Sequence, residues 1–282
     1  MLVVDRDASL ARAAGAELRV PWSASYEHAL AERAVDAVVI ATPTPLHASM
    51  VEQAAAARKH VFCEKPLSLE IESGRAATAA ARDAAVALQV GFQRRFDPDF
   101  LAARAHMAAG ALGAVQLLRI SHRNRVPPHA GELTGRLGSP FVDMTIHDFD
   151  TARWLVGEIA EVHAFASSGT GVVVARFETG ALAVIDNTRA AAYGFECAVE
   201  LMGDRSTVRI GWAGSSSGME HLTARGRTAP LPADHVQRHR SAYLDEIRHF
   251  VACVRSGAAP VVGGADSVAA LRLSLAAERC AA

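Results

Sequence analysis

The feature that most constrains this chain is an alternation that fills its first 91 residues. Short apolar runs (Leu2-Val3-Val4, Val35 to Ala41, His60 to Cys63, Val86 to Gly91) are separated by alanine-rich stretches of helical length. Strands buried on both faces read as continuous apolar runs, and helices crossing between them build a parallel sheet. Helices are expected from about Ala8 to Gly15, through Leu30, from about Leu46 to Arg58, and through about Arg82, with one further short strand near Leu18 to Val20. Ser23 or Ser25 can cap the second helix and Ser68 the fourth, where Glu70 and Glu72 suit the first turn. The third apolar run ends in Cys63-Glu64-Lys65-Pro66. Open α/β sheets bind ligands beyond the carboxyl ends of their strands, so Lys65 occupies a ligand-binding position. Pro66 biases the residue before it to extended geometry. An ordinary strand exit with a solvated charge pair would look the same.

From Phe96 onward the pattern changes. A helix is expected from Phe96-Asp97-Pro98-Asp99 to about Ala109, a strand from Val115 to Arg123, and a helix from about Val142 to Val156. Strands follow at Val162–Ala166, Val172–Phe177, Ala181–Asn187, Glu196–Met202 and Thr207–Ile210, with Glu178-Thr179-Gly180 as a hairpin turn. Two helices, from about Tyr243 to Arg255 and from about Asp266 to Arg279, finish the chain. The fold class is therefore α/β: a Rossmann-type doubly wound sheet over 1–92, then an α+β domain with a large, mostly antiparallel open sheet over 93–282.

At 282 residues the chain is long enough for two ordinary domains, and a formal net charge of -1 argues against a nucleic-acid partner. No apolar run approaches the roughly 18 residues of a membrane span, and Met1 to Asp5 does not read as a signal peptide. Cys63, Cys197, Cys253 and Cys280 lack CxxC spacing, which points to a reducing cytoplasm, no metal site, and four small buried hydrophobes. His235-x3-His239 has ligand spacing without a partner motif and reads as a flexible basic loop.

A dinucleotide-binding unit opens with a strand, a GxGxxG turn and a helix N-terminus for the pyrophosphate. No GxGxxG occurs here, and the chain starts at what would be the second strand, with Asp5 placed to bond the adenosine ribose. The absent strand would lie between two that are present. The expectation is a truncated or misassigned start, and a gap or rearrangement between Leu2–Val4 and Val35–Ala41.

In its motifs the chain resembles the glucose–fructose oxidoreductase / inositol dehydrogenase (Gfo/Idh/MocA) family, and within it the inositol 2-dehydrogenases. The resemblance rests on Ala41-Thr42-Pro43-Thr44-Pro45-Leu46-His47, Cys63-Glu64-Lys65-Pro66-Leu67 and Gly91-Phe92-Gln93-Arg94-Arg95-Phe96-Asp97. It continues in Asp143-Met144-Thr145-Ile146-His147-Asp148-Phe149-Asp150, Ile185-Asp186-Asn187-Thr188-Arg189 and Tyr193-Gly194-Phe195-Glu196. The resemblance implies NAD-dependent oxidation of a secondary alcohol of a cyclic polyol or sugar. It implies His147 as general base, Lys65 as donor to the reacting oxygen, and Asp143 binding a substrate hydroxyl or orienting the imidazole. Asp143 and His147 are four residues apart, so one helix face would carry both; an N-cap aspartate and a satisfied core histidine would share that spacing.

Asp5, Arg6, Thr42, Pro43, His47, Glu64, Lys65 and Gln93 are the expected cofactor contacts, although His47 reads equally as a helix-surface histidine. Asp5 favours NAD, while Arg6 leaves NADP open. Arg95, Asn124 and Tyr193 are candidate substrate contacts, with Arg125 on similar grounds; one of Arg94 and Arg95 is expected in an interdomain salt bridge, and Asp150 in solvent. The implied assembly is a homodimer or homotetramer through the second-half sheet. Two other readings stand beside this one: a non-catalytic binding or assembly remnant, and NAD-dependent glycosidic cleavage on the same fold.

Overall fold

Five parallel strands build the first half, in two separate sheets. The computed structural model describes residues 1–124, 139–167, 169–189, 191, 194–211, 221–223, 226–228 and 234–282. Strand β1 (Val3–Val4) pairs with β2 (Trp22–Ser23), and β3 (Ala37–Ile40), β4 (His60–Glu64) and β5 (Leu88–Gly91) form the second sheet in that order. No ladder joins β1 to β3, and Val39 on β3 is exposed. The interruption expected at this place is there.

Local chemistry sets the helices. Asp7 caps α1 (Ala8–Leu18), its Oδ1 accepting from the Ser9 amide at 2.8 Å. Good helix formers carry α1 through Leu18, so the strand expected near Leu18–Val20 does not form and β2 begins at Trp22. Of the two candidate caps for α2 (Tyr26–Ala31), Ser25 is the one used. After a 3₁₀ turn at Thr44–Leu46 comes α3 (His47–Ala56). Helix α4 (Ile71–Asp83) starts later than expected, because the Ser68 hydroxyl accepts from the Glu70 amide in a turn that precedes the helix.

Beyond β5 a 3₁₀ turn (Gln93–Phe96) leads into α5 (Pro98–Ala108), capped by Asp97. Strand β6 (Val115–Arg123) has the expected bounds. The next helix does not start as a regular α-helix: a π-helical turn at Phe141–Thr145 precedes α6 (Ile146–Leu155). Strands β7 (Ile159–Ser167), β8 (Thr170–Phe177), β9 (Leu182–Thr188), β10 (Glu196–Gly203) and β11 (Thr207–Ile210) complete a six-stranded sheet in the order β11-β10-β6-β9-β8-β7. Only β6 and β9 run parallel. Two short strands, β12 (His221–Thr223) and β13 (Gly226–Thr228), pair antiparallel before α7 (His235–Arg238), α8 (Arg240–Ser256) and α9 (Gly264–Ala281).

The last two helices return to the first half. Phe250 of α8 meets Phe62 of β4 edge-on with ring centroids 6.0 Å apart. At the start of α9 a Cβ on Gly264 would lie 2.1 Å from the Thr78 hydroxyl, so glycine permits α9 to close on α4. One hydrophobic core therefore runs through both halves. Cys63 and Cys197 are buried in it and Cys253 is buried beside α8's other inward residues as expected, whereas Cys280 is exposed. Among the described residues no helix is long and apolar enough to cross a membrane.

Glu246 of α8 is 1% exposed, and among the described residues its Oε2 has no hydrogen-bond partner. Burial, and secondly the nearby Glu64, push its carboxyl up to about 9. A folded value above the unfolded one (about 4.3) gives stability that is full below the unfolded value and lost as pH rises towards 9. Glu246→Gln, neutral throughout, is therefore expected to melt a few degrees above wild type at pH 8. The difference should grow between pH 5 and pH 9 in thermal melts; a constant difference would contradict this account of Glu246.

Candidate active site

The Lys65 side chain crosses from the end of β4 to the π-helical turn ahead of α6. Its Nζ donates to the Asp143 carbonyl oxygen at 2.8 Å and to Asp143 Oδ1 at 3.2 Å. A π-helical turn departs from the regular i→i+4 ladder, and the carbonyl that Lys65 takes belongs to it. Arg189, just past β9, donates to the other carboxylate oxygen at 3.1 Å. Asp143 thus stands between two cations, and no hydrogen bond joins it to His147. The imidazole-orienting role is not seen; Asp143 anchors Lys65.

His147 lies one turn further on, buried, with the Phe92 ring edge-on at 5.8 Å. Its Nδ1 is buried with no partner among the described residues. Burial lowers its pKa well below the usual histidine value, and Lys65, Arg94, His122 and His239 add to this. The ring is neutral at neutral pH and able to accept a proton.

Two adjacent arginines fix α6 in place. Arg94 donates to Asp148 Oδ1 at 2.6 Å and to His122 Nδ1 at 3.1 Å. Burial pushes the Asp148 carboxyl up, but Arg94 and His122 more than offset this and hold it below the usual range. A neutral His122 that accepts on Nδ1 carries its proton on Nε2, and burial first, then the Arg94 and Lys65 charges, lower its pKa against the pull of Asp148. Arg95 grips Asp150 with two bonds, 2.7 and 3.0 Å, and reaches Asp266 at 2.9 Å. Arg95 is therefore a structural clamp that ties the turn after β5 to α6 and to the start of the last helix, and it does not line the cavity that Lys65 and His147 share. Asp150, expected in solvent, is 1% exposed because it is the partner of that clamp.

A cavity of about 420 Å³ opens between these groups, and Glu64, Lys65, Gln93, Asn124, Asp143 and His147 all line it. Glu64 is held against Gly91, where an added Cβ would lie 3.0 Å from its carboxylate, and burial raises its pKa. Gln93 donates to the Tyr243 hydroxyl at 3.3 Å. A larger groove, about 560 Å³, lies between the starts of α3 and α4 around Thr44, Ser68 and Glu70. Glu52, Glu70 and Glu72 line it, but neither lysine nor histidine does, so it lacks a cation to stabilise charge developing on a reacting oxygen.

Other expected site residues lie elsewhere. His47 sets one ring nitrogen against the Thr42 carbonyl (2.7 Å) and the other against the Pro66 carbonyl (2.8 Å). It braces the Lys65 turn and has no nitrogen left for a cofactor. Thr42 and Pro43 follow β3 as expected, while Asp5 and Arg6 are exposed at the end of β1, where Asp5 accepts from the Asp7 amide at 2.8 Å. Tyr193 and Arg125 lie outside the described residues.

The reading from sequence missed His122, Arg189, Phe195, His235, His239 and Tyr243. Two of them carried a signal. Leu118, Ile120 and His122 share the buried phase of β6, and Ala183, Ile185, Asn187 and Arg189 that of β9, so polar residues stand where the alternation demands apolar ones. His235 and His239 are not a flexible loop: His235 opens α7, His239 follows it, and both line the cavity. Among the described residues no group of three or more His, Cys, Asp or Glu is placed to hold a metal ion.

A Rossmann-type parallel sheet, whose strand ends face an acid and an imidazole from a second domain built on a mostly antiparallel sheet, defines an NAD-binding oxidoreductase. The chain belongs to the Gfo/Idh/MocA family. Residues 1–92 match the oxidoreductase family's NAD-binding Rossmann fold, and residues 100–209 match the GFO/IDH/MocA C-terminal domain. The inositol 2-dehydrogenase of Rhizobium meliloti is 37% identical over 88% of this chain and 79% of its own. The myo-inositol 2-dehydrogenase of Thermotoga maritima is 36% identical over 87% and 77%. The crystal structure of scyllo-inositol dehydrogenase from Lactobacillus casei with bound NAD(H) and scyllo-inositol is 25% identical, with a TM-score of 0.90 over 100% of this chain and 88% of that one.

The residues present fit the nicotinamide end of NAD: Glu64, Lys65 and Gln93 stand at the ends of β4 and β5, beside a cavity holding an unpartnered buried imidazole nitrogen. Arg95→Gln is expected to cost about 3–5 kcal/mol in urea unfolding, because it leaves Asp150 buried without its cation. The KM for polyol of the folded fraction should stay at the wild-type value; a raised KM with unchanged stability would return Arg95 to the substrate site.

Proposed function

We propose that this protein oxidises a secondary alcohol of a cyclic polyol, of the inositol class, to a ketone. The observation that carries the reading is the meeting of Lys65 and Asp143 with a neutral, buried His147 on one cavity wall. Bound beside these residues, NAD would supply the acceptor for the hydride of the carbinol carbon. The substrate hydroxyl donates to His147, which accepts its proton, while the Lys65 ammonium stabilises the charge developing on that oxygen. Asp143, backed by Arg189, keeps Lys65 aimed at that point and still has lone pairs for a neighbouring hydroxyl. Asn124 offers an amide to the same substrate, and Thr42, Pro43 and Asp5 are the groups available further along the dinucleotide.

The same proposal divides the chain at residues 92 and 93 into cofactor and substrate domains, and places it in the cytoplasm. It includes a homodimer or homotetramer formed through the outer face of the second-half sheet. On that face Phe165 stands opposite Val172, and Val174 opposite Val184, with Phe165, Val172 and Val174 exposed. Contiguous apolar side chains of this kind mark an interface.

His147→Asn and Lys65→Met are expected to lower kcat for inositol oxidation by roughly 10²–10⁴-fold, while saturable NAD binding, followed by calorimetry, persists. Because His147 titrates well below the usual histidine value, wild-type kcat/KM should stay level as pH falls through about 6.5. An acid limb centred there would remove His147 as the base. Saturable NAD binding without turnover of any polyol would favour glycoside cleavage, and no NAD binding at all a binding protein. Sedimentation should show a dimer or tetramer that Val174→Lys converts to smaller species; a wild-type monomer at all concentrations would refute the interface.

A further inference from the structure

His239 is a cavity residue for which the reaction as derived has no use. It follows α7 and is 1% exposed, with the Phe195 ring edge-on at 6.0 Å and the Phe100 ring at 6.5 Å. Its Nδ1 lies 2.9 Å from Asp97 Oδ2. The same oxygen accepts from Arg238 at 2.8 Å, and Asp97 Oδ1 accepts from the Asp99 amide at 3.0 Å. Burial raises the Asp97 carboxyl, but His239 and Arg238 outweigh it and hold the group ionised. A carboxylate can only accept, so the proton of this pair sits on Nδ1. Burial lowers the His239 pKa to about 4, against the pull of Asp97, so the ring is neutral. Its lone pair is therefore on Nε2, which is buried with no partner among the described residues. Elsewhere along this wall Lys65, Arg94 and a neutral His122 offer donors, and an acceptor of fixed tautomer is what a polyol's hydroxyl hydrogens require.

We propose that His239, with its tautomer set by Asp97, accepts a hydrogen bond from a second hydroxyl of the polyol, one not being oxidised, and so sets which ring positions must carry hydroxyls. This rests on the polyol reading of the cavity. The hydroxyl being oxidised is committed to Lys65 and His147, and His239 is bonded to neither.

The test compares wild type, His239→Phe and His239→Gln on myo-inositol and a set of single-deoxy inositols. His239→Phe keeps a planar ring between Phe100 and Phe195 and is expected to raise KM for the parent roughly three- to tenfold, with kcat nearly unchanged. Wild type should lose a similar factor on one particular deoxy analogue, and His239→Phe should lose nothing further on that analogue alone. His239→Gln, which keeps an acceptor, should recover part of the loss. Equal, additive losses on every analogue would mean that His239 only packs, and would overturn the proposal. Nitrogen-15 NMR of labelled wild type decides independently of turnover. Myo-inositol should shift the His239 Nε2 resonance, whereas an unmoved resonance in the presence of saturating polyol and NAD overturns it. Absence of turnover on all polyols together with a shifted resonance would count against the dehydrogenase chemistry and in favour of this contact.

Discussion

Everything at the site depends on two neighbouring arginines that tie the end of the parallel sheet to α6. Arg94 and Arg95 leave the 3₁₀ turn after β5 and engage Asp148 and Asp150, and all four side chains are nearly sealed from water. Burying four charges is costly unless each is paired and hydrogen-bonded. Here the pairing fixes the register of α6 relative to β5, and with it the place of His147 opposite Lys65. The pairs flank the site without occupying it: Arg94 also holds His122 and thus borders the cavity, whereas Arg95 turns away to Asp266.

The electrostatic setting follows from the same arrangement. His122, His147, His235 and His239 surround one cavity that also contains Lys65 and borders Arg94, and burial lowers the pKa of all four rings. Neutral imidazoles beside fixed cations can accept hydrogen bonds without adding charge to an already cationic wall. Negative charge is supplied from behind, by Asp97, Asp143 and Asp148, each committed to a cation or a ring nitrogen. In the proposed reaction a developing alkoxide would meet positive groups whose partners are already in place, so little rearrangement would be needed as charge builds on the oxygen.

Much of this was legible in the residues. Buried parallel strands announce themselves as apolar runs, which is why β3, β4 and β5 were found and why the break beside β3 was expected. Lys65, Asp143 and His147, which line one cavity, were singled out through motif and spacing. Legibility failed where a residue's role depends on contacts made far away in sequence. Asp150 looks like any helix-surface acid until Arg95, 55 positions earlier, is brought against it. His47 resembles a ligand-facing histidine until the fold brings the Pro66 carbonyl to its ring. His235 and His239 carry no apolar periodicity to mark them as cavity residues. The π-helical turn at Phe141–Thr145 left no trace at all, because its sequence satisfies α-helical spacing equally well.

The return of α8 and α9 to the first half has a consequence for how the chain is made. Phe62 on β4 is covered by Phe250, and Thr78 on α4 by the start of α9. The polypeptide that emerges first from a ribosome therefore cannot bury its own apolar surface until the final helices have been synthesised. With elongation at about 5–20 residues per second, that surface stays open for roughly ten seconds or more. Burial of that surface is therefore completed by α8 and α9.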